Sequence, residues 1–367
     1  MSIDIPDKAR KYSNSRYALS LIGTVYLVVL LFIFQASGLS VWLAESLRKS
    51  FFGYLVMPAY LLVVSLAYYT LEFPLNFYQS FILEHKFSLT KQKLSSWFVE
   101  QFKAGLISFL IGLILFLSFY YILNHNPNYW WLISSLVWIF FSLVLAKLTP
   151  VIIIPLFFKY KPYSNQEIKT RVFNLAQRMK VKILDVFEID FSKKTLKANA
   201  AFVGWGSTRR VLLADTLQDK YSADEIEVIL AHEFAHYKLK HLLKLVVVNA
   251  FVTIAVFYLI FKTSTLVLES FSLSSLADIS ALPIILLYFV LFGIVTQPIQ
   301  NLISRIFERE ADAMALKITG LKEAFISTMD KLANQNLSDR KPNPVIKAFF
   351  FDHPPIDERI NLAKKIN

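Results

Sequence analysis

Six long apolar stretches, residues 17–36, 51–71, 105–124, 130–158, 243–261 and 282–303, decide most of what this chain can become. Each approaches or exceeds the roughly 20 residues that a helix needs to cross a hydrocarbon core. One such run can be the central helix of a soluble core. Six cannot be buried together within 367 residues, 55% of them hydrophobic and 33 of them Phe. The chain therefore reads as a multi-pass α-helical membrane protein. The first run is too long for a cleavable signal, has no small-x-small cleavage site, and is followed by further spans.

Residues 72–83 are aromatic and apolar but interrupted by Pro74 and Asn76, and a seventh, irregular span is the alternative there. Six crossings put the N-terminus on the side of the soluble blocks, and seven put it opposite. There is no Cys, which excludes disulfides and thiolate metal ligands. The formal net charge of +12 is not a nucleic-acid footprint. In a membrane protein, Lys and Arg mark cytoplasmic loops and contacts with anionic lipid headgroups, so membrane lipids are expected partners and nucleic acid is not.

Four segments follow from this pattern: an N-terminal membrane half (1–158), a first soluble block (159–242), a hydrophobic hairpin (243–303) and a second soluble block (304–367). Two crossings return the hairpin to its starting side, so the two soluble blocks can build one site. By the charge rule that site faces the cytoplasm. In the first block, Ser164 to Glu167 has capping-box form ahead of an amphipathic stripe of Ile168, Val172, Leu175 and Met179. Val186–Phe191 alternates as a strand, and Asn199–Val203 with Arg210–Leu213 reads as a hairpin around Gly204 to Ser207.

The chemistry starts at His232-Glu233-Phe234-Ala235-His236. Ser222 and Glu225 form a second capping box, which starts a helix at Ala223, and Ile226, Ile229, Leu230 and Tyr237 mark its packing side. Histidines four apart on a helix project from one face and can hold one Zn²⁺, with the intervening carboxylate able to serve a catalytic water. Catalytic zinc takes a third protein ligand, and Glu308 is the best candidate. Asp312, one turn on, can accept the other N–H of a ligating His. Glu310 lies off that face. A solvated charged helix face is the alternative for this stretch. His353, followed by Pro354, Pro355 and Arg359, is either an ordinary helix start or a pair of oxyanion donors. His85, His125 and His241 read as structural.

With these residues in view, the chain resembles the type I CAAX prenyl proteases, integral-membrane zinc endopeptidases. The likeness rests on His232 to His236, Glu308 with Asp312, Asn199-Ala200, His353-Pro354-Pro355 with Arg359, and the stretches Phe73 to Tyr78 and Glu84 to Phe87. Ala235 stands where many members have Gly, and Ala201 where a bulkier residue is common. The resemblance implies seven transmembrane helices around a chamber, so the fold expected is six to seven transmembrane helices around a chamber, capped by an α+β zincin-like metalloprotease domain. It implies one zinc per chain on His232, His236 and Glu308, with Glu233 as base. His353 and Arg359 would lie near the scissile bond, and Asn199 and Ala200 would bind the substrate backbone by strand addition. The substrate would be a prenylated CAAX-type peptide or another membrane-associated polypeptide, in a bacterial inner membrane or the endoplasmic reticulum. Membrane-protein quality control is an alternative within the same class. A non-catalytic scaffold or transporter with a structural metal is the alternative of another class, and polar Asn249, Gln297 and Gln300 within the spans would suit a pathway. Nothing in the sequence specifies an oligomer.

Overall fold

A computed structural model describes residues 5–204 and 209–366. The chain begins with α1 (Ile5–Ala36), a short α2 (Leu39–Ser50), α3 (Gly53–Lys86), α4 (Leu94–His125) and α5 (Trp130–Phe157). A soluble block follows with β1 (Tyr160–Pro162), α6 (Gln166–Arg178), β2 (Val186–Ile189), β3 (Ala200–Val203), β4 (Arg210–Ala214) and α7 (Ala223–Lys238). Then come α8 (His241–Ser270), α9 (Leu282–Thr319), α10 (Lys322–Asn336), α11 (Pro344–Phe350) and α12 (Ile356–Lys365).

Among the described residues, six helices are long and apolar enough to cross a membrane: α1, α3, α4, α5, α8 and α9. Their main contacts run in the order α1, α3, α4, α5, α8, α9 and back to α1, a closed ring. The twelve residues of α2 are too short to span. This helix lies at the end away from the sheet, where Ser40 Oγ donates to the Ser280 carbonyl at 2.6 Å and Arg48 pairs with Asp278 at 2.9 Å.

Residues 72–83 are not a seventh crossing. They are the tail of α3, which continues through Pro74 and a π-helical turn at Tyr78–Ile82. A proline inside a helix frees a carbonyl, and polar side chains tolerate the irregular turn. Ser80 Oγ donates to the Asn76 carbonyl at 2.7 Å, and Asn76 Nδ2 donates to Gln101 Oε1 at 3.1 Å. Six crossings place the start of α1 beside the soluble blocks. Ser13 Oγ donates to the Leu337 carbonyl at 3.1 Å, and Lys197 Nζ reaches Tyr12 Oη at 2.8 Å and Glu84 at 3.0 Å.

The sheet order is β1-β2-β4-β3. β2 and β4 are parallel, while β1 and β3 pair antiparallel at the two edges, with Ala200 opposite Leu213. The expected hairpin is therefore present, although its turn from Trp205 to Thr208 lies outside the described residues. β2 ends at Ile189, short of the expected Phe191, and the three residues of β1 lacked a readable alternation. The cap of α6 is Asn165, whose side chain accepts from the Ile168 N–H, one residue later than the Ser164 box predicts. Val172 and Leu175 of α6, with Met179 just past its end, pack with Val186, Val211, Leu213, Leu230 and Phe234 into the core beneath the site.

Candidate metal centre

α7 starts as the sequence predicts, with both halves of the Ser222–Glu225 capping box formed. Glu225 also ties this helix start to α10, accepting from Lys331 at 2.7 Å and Ser327 at 2.6 Å. Ile226 and Leu230 are buried, whereas Tyr237 is 42% exposed and lies beneath the Arg209 guanidinium. The helix packs against α9 through Ala231, Ala235, Ala311 and Ala315, all fully buried. Side chains this small let two backbones approach closely. α9 is one unbroken helix from the membrane to Thr319, so the carboxylates it carries sit on the extension of a spanning helix.

That approach brings three donor groups together. His232 Nε2 and His236 Nε2 lie 3.0 Å apart. Glu308 Oε2 is 3.2 Å from the first and Oε1 is 3.1 Å from the second. Among the described residues these are the group that can hold a metal ion. Glu308 Oε2 is buried and has no hydrogen-bond partner, although it lies 3.2 Å from His232 Nε2. A buried orphan carboxylate oxygen beside one imidazole nitrogen, with its twin oxygen beside a second, is a donor set that a cation would complete.

Asp312 is fully buried and lies 2.9 Å from His232 Nδ1. Arg359 forks the same carboxylate through Nε at 2.8 Å and Nη2 at 2.5 Å. Burial works against a charged His232, but the carboxylates of Asp312 and Glu308 outweigh it and lift its pKa to about 9. A divalent cation would displace that proton. Burial raises the pKa of Glu233, and His232 and His236 pull it partly back. The Glu233 side chain makes no hydrogen bond among the described residues, in contrast to the fully engaged Asp312.

His353 is exposed, with Nε2 at 3.4 Å from Glu308 Oε1 and Nδ1 at 2.8 Å from Asp352. Arg359, in contrast, is 8% exposed and committed to Asp312. Its guanidinium lies on the Nδ1 side of His232, with Nη2 at 3.4 Å from that nitrogen. Asn199 is exposed just before β3, and its carbonyl accepts from the Ala214 N–H at 3.1 Å. Ala200 opens the edge strand, which is fixed to α7 by Phe202 against Phe234, ring centroids 5.0 Å apart.

Two residues that spacing set aside belong to this cluster. His241 Nδ1 is 3.0 Å from His236 Nδ1, and His241 Nε2 is 3.0 Å from Glu310. The left-handed backbone at Lys240, φ 57°, breaks the helix and turns His241 back toward the motif. Extrapolating a straight helix past His236 conceals this. The available signal was a third His five residues after the second, in a chain with only six. The polar residues Asn249, Gln297 and Gln300 do not join the cluster. Gln297 and Gln300 bond within α9, to Asn301 and Thr296.

Residues 162–367 match peptidase family M48. The chain belongs to that family. Residues 2–159 match the CAAX prenyl protease N-terminal family, described by five membrane helices; here four helices of that half, α1, α3, α4 and α5, are long and apolar enough to span. This M48 member is 32% identical over 362 residues to the uncharacterized metalloprotease YhfN of Bacillus subtilis, a match covering 97% of this chain and 85% of that one. It is 30% identical over 391 residues to CAAX prenyl protease 1 of Saccharomyces cerevisiae, covering 96% and 84%. Its fold is that of the crystal structure of S. mikatae Ste24p, with a TM-score of 0.88 and 24% identity over 98% of this chain and 90% of that one. The chain is thus a multi-pass membrane metalloprotease, and the scaffold and transporter readings fall away.

Proposed function

We propose that this M48 member is a zinc endopeptidase with His232, His236 and Glu308 as its ligands, and that it cleaves prenylated CAAX-type peptides. The observation that carries the metal reading is the buried, unpartnered Glu308 oxygen beside the His232 imidazole, with the other carboxylate oxygen beside His236. The fit is good for zinc: a tetrahedral site with bonds near 2.1 Å separates its ligand atoms by about 3.4 Å. Here the two imidazole nitrogens stand 3.0 Å apart, and each stands 3.2 or 3.1 Å from one of the two Glu308 oxygens. When bound, zinc supplies Lewis-acid polarisation of the scissile carbonyl.

The remaining chemistry belongs to side chains. Glu233, unpaired and with its pKa raised, takes a proton from the attacking water and returns it to the leaving amine. His353 is the exposed donor for the developing oxyanion. Partial burial opposes its charge, and the Asp352 hydrogen bond with the nearby Glu308 carboxylate more than offsets this, so it titrates above its ordinary value. Arg359 is assigned a positioning role: it holds Asp312 ionised against His232 Nδ1, and the oxyanion is left to His353. Ala200 opens, and Asn199 precedes, an edge strand whose outer side has no sheet partner among the described residues, and an extended substrate can pair there.

The prenylated substrate is supported by the name of the yeast relative, which matches nearly the whole chain. A cytoplasmic catalytic face is supported by charge. Lys8, Arg10, Lys11, Arg16 and the Lys-rich blocks gather at the sheet end, while Arg48 and Lys49 are the basic residues around α2 at the other. Mass spectrometry on a farnesylated CAAX peptide and its unlipidated twin tests the substrate, with the farnesylated form expected to be cleaved faster. Equal cleavage would remove lipid-directed specificity and favour membrane-protein quality control. Single cysteines introduced into this cysteine-free chain at Glu45 and Lys240 test the orientation by labelling from each side.

A further inference from the structure

His232 and His236 are supported in different ways. The Nδ1 of His232 faces the Asp312 carboxylate directly at 2.9 Å. The Nδ1 of His236 faces another imidazole, His241 Nδ1, at 3.0 Å, and the far nitrogen of that ring faces Glu310 at 3.0 Å. His241 is 1% exposed and stacks on Phe307, with centroids 4.6 Å apart and planes 9° apart. Its ring is therefore fixed.

The hydrogen positions follow from the donor rules. A His236 that binds a cation through Nε2 has its lone pair there and its hydrogen on Nδ1. That hydrogen needs an acceptor, and His241 Nδ1 supplies it. His241 then carries its own hydrogen on Nε2 and donates it to Glu310. This is the one assignment in which neutral rings satisfy both contacts. Resting on the zinc reading above, we propose that His241 and Glu310 are positioning residues for the metal. They form a carboxylate–imidazole chain that fixes the tautomer and orientation of His236, as Asp312 does for His232 in a single step. His241 carries a carboxylate's influence past Phe307 to a nitrogen that Glu310 does not itself touch.

The test is zinc affinity of the purified full-length chain, measured by competition with a chromophoric chelator. His241→Phe keeps the stack on Phe307 and deletes the acceptor, and is expected to bind zinc about 10–100-fold more weakly. His241→Asn restores an acceptor near the position of Nδ1 and is expected to recover most of that loss. Glu310→Ala, at a side chain 44% exposed, removes the end of the chain without touching the core and is expected to weaken binding several-fold. Wild-type affinity in both His241→Phe and Glu310→Ala would overturn the proposal, as would a His241→Asn variant as weak as His241→Phe. A wild-type chain that takes up no zinc at all would overturn the zinc reading and this inference together.

Discussion

The contact between α7 and α9 and the ring of spanning helices are both helix packing, but they are built to different tolerances. At the metal centre, four alanines set the distance and a buried Arg359–Asp312 pair sets the orientation. In the ring, aromatic clusters such as Phe119, Trp130 and Phe257 tie α4, α5 and α8 together at the far end. Wide faces carrying Phe102, Phe251 and Val295 stay uncovered, each more than two-thirds exposed. No protein neighbour sets the shape of those faces. The His and Glu donor atoms, near 3 Å from one another, depend on exact placement, so geometric precision is concentrated where α9 leaves the membrane.

Substitutions can break that contrast in graded steps. Glu233→Gln is expected to have the largest effect, lowering turnover by about 10²–10⁴-fold or more while zinc content stays at one per chain. Peptidase assay with metal analysis checks it, and full activity would remove Glu233 as base. Next is Arg359→Met, which leaves Asp312 buried without its cation and should cost about 3–5 kcal/mol in unfolding experiments. A variant with altered oxyanion chemistry but unchanged stability would return Arg359 to the reaction itself. Ala311→Leu wedges α7 from α9, with an expected loss of about 1–3 kcal/mol and weakened zinc binding.

Smaller effects separate the regions further. Burial opposes the charge of Glu225, but Lys331, Ser327 and the Ser222 N–H more than compensate, so its folded pKa lies below the ordinary value. Its contribution is therefore present above the ordinary carboxylate pKa and is lost as pH falls through the lowered one. Glu225→Gln should flatten the stability profile on that acid side. Last, Val295→Ala on an exposed face of α9 should stay within about 0.5 kcal/mol. A loss as large as that of Ala311→Leu would show that the ring is as exacting as the centre.

Local periodicity carried much of this in the sequence. The six spans, the Ser222 cap and the His232–His236 face need only length, spacing and capping chemistry, and each is where that chemistry puts it. Glu308 was reachable because an even number of crossings returns the chain to its starting side. What stayed hidden depends on backbone irregularity or on contact across elements. The continuation of α3 past Pro74 relies on a π turn and on Ser80 and Asn76. The turn at Lys240 redirects His241. The commitment of Arg359 to Asp312 depends on how α12 docks beneath α9, which no spacing records.

The position of Glu308 has a consequence for biosynthesis. On the proposed ligand assignment, a nascent chain made only as far as His236 would own two ligands and the base but lack Glu308, which comes after a trip across the bilayer and back. The hydrolytic centre would then be inert on the ribosome until the last pair of helices has been inserted. Membrane integration would do the work that a removable propeptide does in secreted proteases, and chains stalled before α9 are expected to hold zinc far more weakly than the finished protein.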